Sequence, residues 1–133
     1  MDSKESQTTE ITNESKLLAA IVYVLGILVA VIIFLLKKDD KYVRFHAAQA
    51  LLFDITVMLF SIPLTIILFA VFFVAGIVSF GVGFFLGFGV LWIGIMAFSV
   101  GIFLAKVFLG YKAYQGETFK LPFLGDQAEK IAV

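Results

Sequence analysis

With 133 residues, 62 % of them apolar and only 15 % charged, and a mean hydropathy of +1.07, this chain is far more apolar than soluble domains, which sit nearer half apolar and a quarter charged. Ten basic and ten acidic side chains leave no net charge, hence no bulk attraction to nucleic acid. The absence of cysteine excludes disulfides, thiolate catalysis and cysteine metal sites.

Residues 1–15 (MDSKESQTTEITNES) are rich in Ser, Thr and Glu. Such a segment buries too little to offset its ordering entropy, so it reads as a mobile polar tail, with Asn13 or Ser15 capping the helix that follows. An uncharged run from Leu17 to Leu36 comes next. A hydrocarbon core of about 30 Å takes roughly 20 helical residues, so this run is expected to cross the membrane once. A cleaved signal peptide fits poorly: the tail before the run is acidic on balance, and KKDDK follows where small residues would mark a cleavage site.

After the polar loop 37–46 (KKDDKYVRFH), residues 47–105 carry one charged side chain, Asp54. As one helix this stretch would extend about 90 Å. Two spans fit it with a connection to spare. The breaker is expected in SFGVGFFLGFG (79–89), with its four glycines, rather than at SIPLT (61–65). The predicted fold is therefore all-α and polytopic, with three transmembrane helices; four is the alternative. It divides into the tail 1–15, a transmembrane domain 16–112 with a Gly-rich connection, and a cytoplasmic C-terminal tail 113–133. Three spans put the loop cations Lys37, Lys38, Lys41 and Arg44 on one side with Lys112, Lys120 and Lys130. Basic residues near span ends favour the cytoplasm, which places the N-terminus outside and the C-terminus inside a cell membrane.

Asp54 is the first candidate for chemistry. A carboxylate at membrane depth costs several kcal/mol unless paired, hydrated or protonated, and so marks either an ion pathway or a structural pair. Lys106, one to two turns in from Lys112, is its natural partner in an antiparallel hairpin, unless it snorkels to the headgroups. Arg44, His46, Gln49 and Asp54 could together line a polar notch. A lone His without Cys, His or Glu at ligand spacing makes a poor metal site, so no metal is expected. No phosphate loop, catalytic triad or paired carboxylate is present in the sequence, and neither an enzyme nor a cofactor is expected. Ala97, Gly101 and Ala105 recur at helix-packing spacing and can let two backbones approach closely in lipid. In the tail, Leu121, Phe123 and Leu124 are too apolar to trail in water. Residues 121–130 should dock near the 37–46 loop, with Asp126 and Glu129 meeting its cations.

Two segments, KYVRFHAAQALLFDI (41–55) and GETFKLPFLGDQAEK (116–130), resemble the Tic20-like family: the import-channel component of the chloroplast inner envelope and its small bacterial and archaeal relatives. The resemblance begins at KLLAAIVYVLG (16–26) and covers most of the chain. It implies a membrane-embedded, non-enzymatic protein in which Arg44, His46, Gln49 and Asp54 belong to a family motif. The expected function is a subunit or accessory of a membrane assembly, related to protein translocation or a pore. The alternative is a small transporter or proton-linked carrier using Asp54. Expected partners are the lipid bilayer and either further copies of the chain or a larger complex, with no nucleic acid.

Overall fold

A computed structural model describes residues 11–133, which form five helices: α1 (Asn13–Leu25), α2 (Ile27–Leu36), α3 (Lys41–Val78), α4 (Val82–Tyr114) and α5 (Leu124–Ala132). The expected mobile tail 1–15 falls largely outside the described residues; its last three positions are already helical. The cap is Thr12, not Asn13 or Ser15. Its hydroxyl accepts the Ser15 amide at 3.1 Å, satisfying a donor that the first helical turn would otherwise leave free.

The first apolar run does not form one helix. Gly26, at φ 87° and ψ −173°, ends α1 and starts α2 in a backbone region that is essentially glycine-only. The chain then doubles back: Ser15 Oγ donates to Asp40 at 2.5 Å, and Lys37 pairs with Glu14 at 2.9 Å. With 13 and 10 residues, α1 and α2 extend only about 20 and 15 Å, each less than a hydrocarbon core. Two helices, α3 and α4, are long and apolar enough to cross a membrane. The third span expected over Leu17–Leu36 is not among them. Tyr42 Oη donates to the Ala113 carbonyl, so the start of α3 lies beside the end of α4, at the same end where α1 begins.

The described residues fall into two units. One comprises the chain through Phe53 together with Val107–Val133, and the other is Asp54–Lys106. The second unit is an antiparallel helical hairpin whose arms, residues 54–78 and 82–106, each extend about 37 Å. Its connection is only Ser79–Gly81, much shorter than the Gly-rich stretch 79–89 suggests, because Gly83, Gly87 and Gly89 are helical. Ser79 Oγ donates to the Ala75 carbonyl and accepts the Gly83 amide, closing one helix and opening the next. Gly76 and Gly87 permit the close approach that follows: a Cβ on either would run into Phe84 or Phe72 of the facing arm. Most other side chains of this hairpin are exposed, as suits a lipid solvent.

The first unit is packed around small residues. Ala19, Val22, Tyr23 and Ala30 of the α1–α2 hairpin bury against Ala47 and Ala50 of α3 and Leu109 and Ala113 of α4. Gly110 lets α4 touch the α1 backbone, its Cβ position lying 3.2 Å from the Ala20 carbonyl. The C-terminal segment docks here. Gly125, Ala128 and Ala132 form the buried face of α5, and the two alanines pack on Phe45 and Ala48. The expected ion pairs with the 37–46 loop do not form among the described residues; Glu129 instead binds Lys120 at 2.8 Å and raises its pKa through that hydrogen bond.

Candidate functional site

Within the first unit, one face of α3 presents His46 and Gln49, both buried, to Tyr23 of α1. Gln49 Nε2 donates to Tyr23 Oη at 3.0 Å and to the Phe119 carbonyl at 3.0 Å, while its Oε1 accepts the Leu121 amide at 3.2 Å. Flipping the amide would set oxygen against oxygen at Phe119, so the network itself orients it. Tyr23 Oη stands 3.0 Å from His46 Nδ1. Having accepted from Gln49, the hydroxyl gives its own proton to Nδ1, which leaves the neutral imidazole protonated on Nε2. Nε2 is buried and has no hydrogen-bond partner among the described residues. The rings of Tyr23, Tyr42 and Phe45 surround His46 edge-on at 4.6–5.8 Å.

This network ties α1, α3 and the segment 119–121 to one another. Gln49 does for the segment 119–121 what a neighbouring strand would do, satisfying a carbonyl and an amide from a fully buried side chain. Tyr23 ties the hairpin to the same point. Gln49→Leu is expected to leave Phe119 O, Leu121 N–H and Tyr23 Oη short of partners, at about 1–3 kcal/mol per stranded group. Hydrogen exchange checks this: amides from Leu121 to Ala132 should exchange much faster in the variant, with residues 60–75 unchanged.

In the hairpin unit, Lys106 Nζ meets Asp54 Oδ1 at 2.5 Å, with side chains only 17 % and 12 % exposed. Because Asp54 opens one arm and Lys106 closes the other, the pair joins the two at the open end of the hairpin, away from Ser79–Gly81. An ion pair so sheltered from water is self-satisfying. No polar cluster of catalytic type surrounds it among the described residues.

The residues expected to share a notch therefore have different tasks. His46 and Gln49 converge on Tyr23, Asp54 pairs with Lys106, and Arg44 sits over Phe34, its guanidinium carbon 4.7 Å from the ring centroid. The described residues hold no group of three or more His, Asp or Glu that could grip a metal ion. Ala97 and Gly101 are exposed, Ala105 is half-buried, and a Cβ on Gly101 would meet open space among the described residues. Sequence reasoning missed Tyr23 and the 119–121 backbone. A lone tyrosine three residues before a glycine, inside an otherwise apolar run, was the available signal.

Residues 11–126 match the Magnetosome magnetite crystal formation protein family. The chain is 32 % identical over 113 residues to a UPF0132 membrane protein of Methanocaldococcus jannaschii, covering 85 % of this chain and 84 % of that one. It is also 32 % identical over 111 residues to a UPF0132 membrane protein of Archaeoglobus fulgidus, covering 84 % and 88 %. No solved structure matches. The resemblance to the Tic20-like family is overturned by these matches, since the family that covers the chain is a different one. Matched over nearly its whole described length and long enough in two helices to cross a bilayer, this integral membrane protein belongs to the Magnetosome magnetite crystal formation protein family.

Proposed function

We propose that the protein is a non-enzymatic subunit or accessory of a membrane assembly, anchored by the α3–α4 hairpin. One observation carries this reading: the hairpin from Asp54 to Lys106 leaves most of its side chains exposed while its charged pair is satisfied internally. Without a hydrophobic force between helices in lipid, association rests on close packing. Ala97 and Gly101 offer an open surface of that kind. The polar inventory of the first unit serves to hold α1, α3 and the tail together, which supports a binding or scaffolding role over a reaction. The alternative is a carrier using Asp54, favoured by the depth of that acid alone. We also place the face bearing Lys37, Lys38, Lys41, Lys112 and Lys120 in the cytoplasm, since basic residues concentrate there.

Crosslinking in native membranes followed by affinity purification tests the proposal. A stoichiometric partner, or a ladder of copies of this chain, is the expected result. A chain that stays uncrosslinked and monomeric contradicts it. Proton or cation flux in liposomes that disappears in Asp54→Asn would install the carrier in its place.

A further inference from the structure

The single histidine of the chain closes a hydrogen-bond chain whose direction is fixed from the C-terminal segment inward. His46, Gln49 and Tyr23 are all buried. Gln49 Oε1 accepts the Leu121 amide and its Nε2 donates to the Phe119 carbonyl, so the side chain offers Tyr23 Oη an N–H and not an oxygen. The tyrosine proton then has one acceptor, His46 Nδ1 at 3.0 Å. Across the ring, Nε2 has no partner among the described residues.

This arrangement has no place for a second proton on the ring. An imidazolium carries N–H at both nitrogens. A proton added at Nδ1 would face the tyrosine O–H, and that O–H, turned aside, would find only the Gln49 N–H. At Nε2 the other N–H would still lack an acceptor. The charge itself would lie in a buried site with no counterion. The charged groups of the surrounding elements are engaged elsewhere: Glu14 with Lys37, Asp40 with Ser15 Oγ and the Val43 amide, Glu117 with Lys112, Glu129 with Lys120, and Arg44 over Phe34. The α2 helix carries no charge, and the hydroxyl of Tyr42 is given to the Ala113 carbonyl.

We infer that His46 is a proton-sensitive latch on the C-terminal segment: its protonation opens the Tyr23–Gln49 chain and releases residues 119–132 from α3. Gln49 grips the Phe119 carbonyl and the Leu121 amide, and beyond that grip α5 is held by a narrow face of Gly125, Ala128 and Ala132. Once the segment is released, His46 takes up a proton as an ordinary histidine does, near pH 6.5. The docked state takes up none. Docking is therefore complete above about pH 6.5 and weakens as pH falls below it, by up to about tenfold per pH unit. The arms 54–78 and 82–106 by themselves exceed about 30 Å of hydrocarbon, which leaves His46, on the stretch of α3 before Asp54, exposed to the pH of one compartment when the latch opens.

Hydrogen exchange of the full chain in neutral detergent at pH 7 and pH 5, corrected for the intrinsic pH dependence of exchange, tests this. Histidine is the side chain that ordinarily titrates in this window, while carboxylates do so lower. Protection of amides from Leu121 to Ala132 should fall roughly tenfold or more at pH 5, with residues 60–75 unchanged. In His46→Asn, whose side-chain oxygen can accept from Tyr23 and does not titrate, protection should be the same at both pH values. Unchanged protection in the wild type, or an equal fall in His46→Asn, would overturn the latch. The wild type alone carries the test if the variant folds poorly, because one histidine gives one set of ring signals in NMR. Those signals should titrate together with the loss of protection. A ring that titrates near pH 6.5 while the amides stay protected would contradict the inference.

Discussion

Asp54→Asn and Lys106→Met are each expected to lower stability in detergent by about 3 kcal/mol, the lower part of the range for stranding one member of a buried ion pair. The lower part applies because the two side chains keep 12 % and 17 % of their exposure. The double variant should recover a substantial part of the loss, since neither charge is then left alone in a low dielectric. Non-additivity of this kind is the signature of direct contact. The rest of the hairpin bears on the magnitude. Gly76 and Gly87 close the end of the two arms near Ser79–Gly81 by contact with Phe84 and Phe72, and the pair acts at the opposite end. Additive losses, read from thermal or denaturant unfolding of all four proteins, would show that the two groups do not depend on one another.

Gly26→Ala is expected to destabilise the protein by about 1–3 kcal/mol, although the new methyl meets nothing within 4 Å. The cost is conformational. At φ 87° and ψ −173° an L-residue is strained whatever the surrounding space, whereas the same alanine would suit a straight helix running from Asn13 to Leu36. The substitution therefore penalises the hairpin and favours the single span that the length of the run by itself suggests. Unfolding measurements give the first effect. Spectroscopic distances between labels at Glu14 and Lys37, which are ion-paired in the hairpin, give the second: the wild type should show one short distance and Gly26→Ala an added long one. Unchanged stability would mean that the bend is not held in this conformation.

The contrast between Gly26 and the long apolar stretch shows what could be read from the residues. Residues 47–105 resolve into two arms because fifty-nine nearly uncharged residues admit few divisions, and an antiparallel hairpin puts Lys106 within a lysine stem's reach of Asp54, where the structure joins them. Leu17–Leu36 misled because its length satisfies the span rule, and one glycine inside an aliphatic run is usually tolerated. Its backbone angle is set by what α1 and α2 pack against, which is tertiary information. The same holds for Gln49. Its polarity at the start of an apolar helix was visible, but its partners, Tyr23 and the backbone at Phe119 and Leu121, lie 26 to 72 residues away. The apolar character of Leu121 and Leu124 announced that the tail docks, and no local pattern announced which side chain receives it.

The lack of native cysteine makes one measurement clean. Single cysteines placed at Asn13, Lys38, Phe80 and Gln127 can be labelled in sealed vesicles with a membrane-impermeant maleimide. With a re-entrant α1–α2 hairpin and two spans, positions 13, 38 and 127 label from the same side and position 80 from the opposite one. Labelling of position 13 from the side opposite to 38 and 127 would contradict the hairpin and restore a first run that crosses the membrane.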